Sequence, residues 1–136
     1  RVELTIEGNM KTKEHLDKLM KELDISFPLR SSDVYEIPIE GGAALLTLQN
    51  PGFILSCELG NAPKRNEENI LTQLLHANLF GQMTKEAVLG LSVDGNKIVL
   101  SRVIDYDLDY KEFSEIMEDF LNVALFWRKQ ILTETK

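Results

Sequence analysis

Histidine, cysteine and clustered aspartates are the residues of this chain that could perform acid–base, nucleophilic or metal chemistry. The two histidines, His15 and His76, lie far apart in sequence, and neither has a cysteine or second histidine at the spacing of a metal site. Cys57 lies within the apolar segment 54–57, where a small, buried and unreactive thiol is expected. These three side chains therefore predict no catalytic site.

The segment 105–109 begins like a calcium-binding loop, with acids at positions one, three and five. Position six is Tyr110, where such a loop needs glycine, and position twelve is Ile116, where it needs a bidentate acid. We therefore interpret Asp109 as the cap of a helix. The chain also has no glycine-rich phosphate loop and no Gly-x-Ser-x-Gly motif. We expect no metal, no cofactor and no enzymatic activity.

Length and charge narrow the class of protein further. The chain has 136 residues, with 22 acidic against 15 basic side chains and a net charge of -7. This charge repels a nucleic-acid backbone, and no apolar run approaches the roughly 18 residues of a membrane span. A single cysteine excludes an internal disulfide and fits a reducing compartment. We expect one domain over residues 12–132, a tail at 133–136 and an extension at 1–11, whose origin outside the natural chain is left open.

The first half of the chain predicts one helix followed by strands. Leu16, Leu19, Met20 and Leu23 recur at i, i+3, i+4 and i+7, which predicts a helix over 12–24. Before it, residues 2–7 alternate between apolar and polar types, as in a strand. Three further strands are predicted between glycine- and proline-containing turns, at 34–39, 43–49 and 53–59.

The second half predicts a helix, a hairpin and a final helix. A broad apolar face marks the second helix, and it consists of Ile70, Leu71, Leu74, Leu75, Asn78 and Leu79. Asp94 and Gly95 predict a tight type I′ turn between strands at 87–93 and 97–103. Asp109 and Glu112 form a capping box that begins the last helix. The order α-β-β-β-α-β-β-α indicates an α+β fold, a twisted antiparallel sheet covered by helices.

The apolar faces of these elements leave two alternatives open. Either a single chain buries all of them in its own core, or part of this surface is shared with another chain.

The second half of the sequence resembles a known family. Its helix at 70–80 carries Leu75, Asn78 and Phe80; a turn at Gly81, a hairpin and a long helix ending in Phe126-Trp127-Arg128 follow. This arrangement is similar to that of the class I type III secretion chaperones, also called the Tir-chaperone family. The resemblance covers about residues 12–132 and is strongest in the second half.

The resemblance implies a dimer that forms through the second helix and the adjoining strand, as a homodimer or as a heterodimer with a related chaperone. The interface residues would be Leu71, Leu74, Leu75, Asn78, Leu89 and Leu91.

The resemblance also implies that the N-terminal segment of a secreted effector or gatekeeper protein binds as an extended chain in the bacterial cytoplasm and stays soluble and competent for secretion. The predicted groove residues are Leu16, Leu19, Met20, Leu23, Val34, Ile37, Leu46, Leu48 and Ile54. A second hypothesis is a regulatory protein that couples secretion to transcription by binding the transcription machinery or an anti-activator.

Overall fold

A computed structural model of the protein describes residues 2–62, 72 and 86–134, and the side chains of 11–62, 72 and 86–131. The described elements in chain order are α1 (Val2–Leu23), β1 (Leu29–Ser31), β2 (Val34–Ile39), β3 (Gly42–Leu48), β4 (Phe53–Asn61), β5 (Val88–Leu91), β6 (Lys97–Ile104) and α2 (Tyr110–Glu134). Thr72 is helical, and the rest of the helix predicted at 70–80 lies outside the described residues.

The strands form one antiparallel sheet in the order β1-β2-β3-β4-β6-β5. The structure therefore confirms the predicted antiparallel α+β fold. It adds one edge strand, β1, which pairs with β2 across a turn at residues 32–33. Three residues are too few to show an alternating pattern, so this strand was not predicted.

Among the described residues, the core lies between one face of the sheet and the helices α1 and α2. Alternate strand residues point to this face, as period-two geometry requires, and the burial patterns of β3 and β4 follow this alternation. Side chains of both helices fill the other side of the core. The largest fully buried side chains are Phe53, Phe113, Phe120, Leu16, Ile37, Leu46, Leu55, Leu59, Ile98, Leu100, Ile104 and Met117.

Helix α1 begins ten residues earlier than predicted, at Val2. The strand interpretation of residues 2–7 is therefore wrong. Extending an existing helix adds one hydrogen bond per residue without a new nucleation cost, and a strand at 2–7 would need a partner strand.

The β5–β6 hairpin is confirmed, but its predicted type I′ turn is wrong. Such a turn needs positive φ at both central residues, whereas of the pair only Gly95 has it, at 75°. The hydrogen bond that closes the hairpin lies farther from its tip, because Ser92 N donates to Lys97 O. The loop between the two strands is therefore longer than two residues. The Asp94 carboxylate accepts hydrogen bonds from Ser92 Oγ at 2.6 Å and Asn96 N at 3.0 Å, and these bonds stabilise the longer loop.

Helix α2 begins where the sequence predicted. The backbone N–H of Glu112 donates to Asp109 Oδ1 at 2.8 Å, and Phe113 N donates to the Asp109 carbonyl at 3.0 Å. Asp109 is therefore the N-cap, and its carboxylate satisfies an amide that has no partner within the helix.

Three residues along one side of α1 join it to the start of α2. His15 Nε2 donates to the Leu108 carbonyl at 2.7 Å, and Lys18 Nζ lies 4.4 Å from the centre of the Tyr110 ring. The Tyr110 hydroxyl donates to Glu22 Oε2 at 2.7 Å. This set of contacts fixes where α1 lies relative to α2.

The Tyr110 contact predicts a loss of stability at alkaline pH. Burial, with added effects of the hydrogen bond to Glu22 and the charge of Glu22, raises the pKa of Tyr110 from 10.0 to about 12. The unfolded chain therefore loses this proton first, so the stabilisation is complete below pH 10 and falls as the pH rises to about 12. We expect urea midpoints measured over this range to fall more steeply for the wild type than for Tyr110→Phe. Parallel declines would show that the phenol makes no such contribution.

Candidate functional site

Of the three side chains considered for catalysis, His15 and Cys57 belong to the described part of the chain, and His76 lies outside the described residues. The Cys57 thiol is buried and donates weakly to the backbone oxygens of Ala43 and Glu58. Burial raises the pKa of Cys57, and this effect outweighs the opposing charge and hydrogen bond of Arg128. Within the described residues, no three His, Cys, Asp or Glu side chains lie close enough to hold a metal ion. No helix in this part of the chain is long and apolar enough to cross a membrane.

Arg128 ties α2 to the sheet. Its two terminal nitrogens donate to the backbone carbonyls of Glu58 at 2.8 Å and Gly41 at 2.6 Å. A Cβ atom at Gly41 would lie 2.9 Å from Arg128 Nη2, so the absence of a side chain there leaves room for the guanidinium. The sequence predicted only that Arg128 lies near the end of the last helix. In the fold, Arg128 also holds the β2–β3 turn through its hydrogen bond to Gly41.

Four of the predicted groove residues lie in the core. Leu16, Ile37, Leu46 and Leu48 are at most 5% exposed. They belong to the core between the sheet and the described helices. Their role in binding a client remains a prediction.

Two further groove residues lie on the opposite face of the sheet. Strand register aligns Val34, Thr47, Ile54 and Val103 in one row across four strands. The residues next to them on each strand include buried ones, so this row lies on the face of the sheet opposite to α1 and α2. The fold therefore separates Val34 and Ile54 from the groove residues on α1.

The remaining three groove residues lie on α1. Leu19 and Met20 are half-buried and pack against the core, whereas Leu23 is 54% exposed. Two residues that sequence reasoning missed extend this apolar area, namely Ile25 at 47% exposure and Leu29 at 58%. Leu23, Ile25 and Leu29 are named here the α1–β1 surface.

An open pocket with a volume of about 460 Å³ lies beside Ile25 at the end of α1. It has an apolar part and a charged part. The lining residues are Asp17, Met20, Lys21, Asp24, Ile25 and Ser26.

The way in which α1 ends builds this pocket. Asp24 has a positive φ of 55°, and its N–H donates to the Lys21 carbonyl. Ile25 N donates to the Met20 carbonyl at 3.1 Å. This pair of bonds is the Schellman motif, which brings the residue after the turn back over the last helical turn. Phe27 is buried, and its N–H donates to Met20 Sδ at 3.2 Å, so the segment after the helix stays close to α1.

Strand β1 continues from this segment and forms one edge of the sheet. It pairs with β2 on one side, and no strand of the described chain pairs with its other side. Arg30 Nη2 lies 2.7 Å from Glu36 Oε1, an ion pair that joins β1 to β2. An edge strand presents backbone donors and acceptors to which an extended chain can add.

The predicted dimer residues are described only in part. Leu89 is buried in the chain itself, Leu91 is 41% exposed, and Val88 on the same edge strand is 55% exposed. The others, Leu71, Leu74, Leu75 and Asn78, lie outside the described residues.

Comparison with known proteins gives a family and a fold. The family model described as Tir chaperone protein (CesT) family matches residues 14–128, which is most of the chain. A protein of Chlamydia pneumoniae, CPj0713/CpB0740, is 29% identical over 121 residues, and the match covers 82% of this chain and 92% of that protein.

Two solved structures have a similar fold. One is a chain of the HopA1–SchA chaperone–effector complex, with 17% identity, a TM-score of 0.67, and coverage of 89% of this chain and 95% of that chain. The other is a chain of the heterodimeric ExoU–SpcU complex from the type III secretion system of Pseudomonas aeruginosa, with 18% identity, a TM-score of 0.64, and coverage of 84% and 95%. At these identities the likeness shows a shared fold.

Proposed function

The chain belongs to the Tir chaperone (CesT) family, and we propose that it binds the N-terminal segment of a secreted effector or gatekeeper protein in extended form in the bacterial cytoplasm. It acts by binding, without catalysing a reaction, and keeps the bound segment soluble until secretion. The α1–β1 surface beside the free edge of β1 is the observation that carries this proposal.

This surface suits an extended chain for two physical reasons. The unpaired side of β1 supplies backbone hydrogen bonds, which bind a strand of almost any sequence. Leu23, Ile25 and Leu29 supply apolar contacts, and each is about half exposed in the free protein. Binding therefore gains hydrophobic free energy, which offsets the entropy lost when the client segment becomes ordered.

Co-expression with N-terminal fragments of secreted proteins from the same organism tests the proposal. We expect one fragment to co-purify and about 50–100 of its residues to resist limited proteolysis, because bound segments open to protease more rarely than free ones. Hydrogen exchange should slow at Leu29–Ser31 in the complex. Binding of a folded client domain with no protected segment would contradict the proposal. Co-purification with transcription-machinery or anti-activator proteins in place of a secreted one would favour the regulatory hypothesis.

We also propose that the protein forms a dimer through the helix predicted at residues 70–80 and the edge strand β5. Leu91 and Val88 expose apolar area on that edge strand, and the burial of such area favours association. Light scattering at micromolar concentration should give twice the mass of 15.5 kDa for a homodimer. A monomeric mass requires a heterodimer with a related chaperone, and a monomer that also fails to pair when co-expressed with related chaperones would contradict the dimer proposal.

A further inference from the structure

The pocket at the end of α1 is lined by both apolar and charged residues. The Schellman motif holds Ile25 over Met20, and both side chains line the pocket. Asp17 and Asp24 line it as well, together with the single cation Lys21. The lining thus carries two negative charges against one positive charge.

Neither carboxylate of the pocket is used in an ion pair within the described chain. The ion pairs there join Arg30 to Glu36 and Arg102 to Glu86, on other parts of the fold. Asp17 faces β2 closely enough for its charge to contribute to the raised pKa of Tyr35, after burial as the main cause. Among the described residues, the carboxylates of Asp17 and Asp24 therefore have no ion-pair partner, and each can pair with a cation of a client.

The helix adds to this negative potential. The C-terminal end of an α-helix carries a partial negative charge, and the pocket lies at the C-terminal end of α1. Lysine and arginine side chains combine an apolar stem with a cationic head, and they place the stem on apolar surface while the head stays near water. The volume of about 460 Å³ accommodates such a side chain together with part of its neighbour.

We infer that this pocket takes a lysine or arginine side chain of the extended client segment, with its stem on Met20 and Ile25 and its head at Asp17 and Asp24. The inference rests on the proposed function, because it names the chemistry of the client that binds at the α1–β1 surface. Asp17 and Asp24 then determine specificity: they favour client segments in which a basic residue lies next to the apolar anchors.

Peptide titration followed by backbone amide NMR shifts tests the inference on the full chain. The probe is a twelve-residue peptide of alternating serine and valine with one central arginine, compared with the same peptide carrying glutamate at that place. We expect the arginine peptide to bind about fivefold more tightly, as two exposed ion pairs allow, and to shift the amides of residues 20–26. The preference should shrink in 0.5 M salt, where charges are screened within a few ångströms.

Two variants make the outcome decisive. Asp17→Asn with Asp24→Asn should remove the preference for arginine, and asparagine tolerates the positive φ at position 24. Lys21→Gln, on the same pocket, should keep or increase the preference. Equal shifts with both peptides, no shift at residues 20–26 with either, or an unchanged preference in the double asparagine variant would overturn the inference. If the arginine preference appears but no client fragment is ever protected, the proposed function fails and the charge preference of the pocket stands.

Discussion

Gly52→Ala is expected to destabilise the fold by about 3 kcal/mol or more. Gly52 is buried in the β3–β4 turn with φ of 88°, a conformation that alanine adopts only with strain. A Cβ atom there would lie 1.9 Å from the carbonyl oxygen of Ile104 and 2.7 Å from its carbonyl carbon. Both are backbone atoms at the end of β6, so they cannot swing aside as the end of a flexible side chain can.

The clash would reach beyond the turn. The Gly52 carbonyl accepts a hydrogen bond from Gln49 N at 3.0 Å, which closes the turn. The same oxygen accepts a bond of 3.5 Å from Thr12 Oγ1, a buried hydroxyl on α1. A shift of Gly52 would therefore disturb the turn, the end of β6 and the docking of α1 together.

Gly95→Ala is the matched control for this prediction. Gly95 also has positive φ, at 75°, but no atom lies within 4 Å of the place where its Cβ would be. Its replacement should cost only the left-handed penalty of about 1 kcal/mol. Urea unfolding of both variants measures the difference. Equal losses would mean that the close approach of Gly52 to Ile104 is absent in solution.

Leu23→Gln combined with Leu29→Gln is expected to weaken client binding about tenfold to 100-fold while leaving the chain folded. Complete burial of a fully exposed leucine side chain contributes about 1.5–3 kcal/mol. Leu23 and Leu29 are each a little over half exposed, so their burial by a client contributes about 1.5–3 kcal/mol in total. A difference of about 1.4 kcal/mol is a factor of ten in Kd. Both residues are more than half exposed in the free protein, so their replacement by glutamine should change the Tm of the protein little.

Phe126→Gln provides the control for the leucine variants. Phe126 is an apolar residue of similar exposure, 45%, but it lies on α2 away from the α1–β1 surface. We expect wild-type affinity for the protected client fragment in this variant. A loss of less than threefold in the double leucine variant, or an equal loss in Phe126→Gln, would show that the client binds elsewhere.

Local sequence signals predicted most elements of the fold. Asp109 predicted the start of α2 because its carboxylate caps the first turn, and the Asp94-Gly95 pair predicted the β5–β6 hairpin. These features depend on residues a few positions apart. The predicted turn type was wrong because hydrogen bonds of the Asp94 side chain to Ser92 and Asn96 stabilise a longer loop. The sequence alone does not show these bonds.

The sequence could not predict on which face of the fold each candidate groove residue lies. Val34 and Ile37 are three residues apart on one strand, so the alternation places them on opposite sides of the sheet. The sequence does not show which side the helices cover. The fold buries Ile37 and leaves Val34 on the far face.

The amino-acid sequence by itself determined the family and most of the elements, apart from the short strand β1 and the helical residues 2–7. Periodicity, caps and turns act over a few residues, and the resemblance rests on a pattern along the chain. Only the tertiary structure decided which leucines are core and which are surface, because burial depends on contacts between residues distant in sequence. Leu16 and Leu23 share one helical stripe, yet packing buries Leu16 completely and leaves Leu23 54% exposed at the end of α1. The same packing leaves Ile25 and Leu29 about half exposed, Leu29 on the edge strand β1.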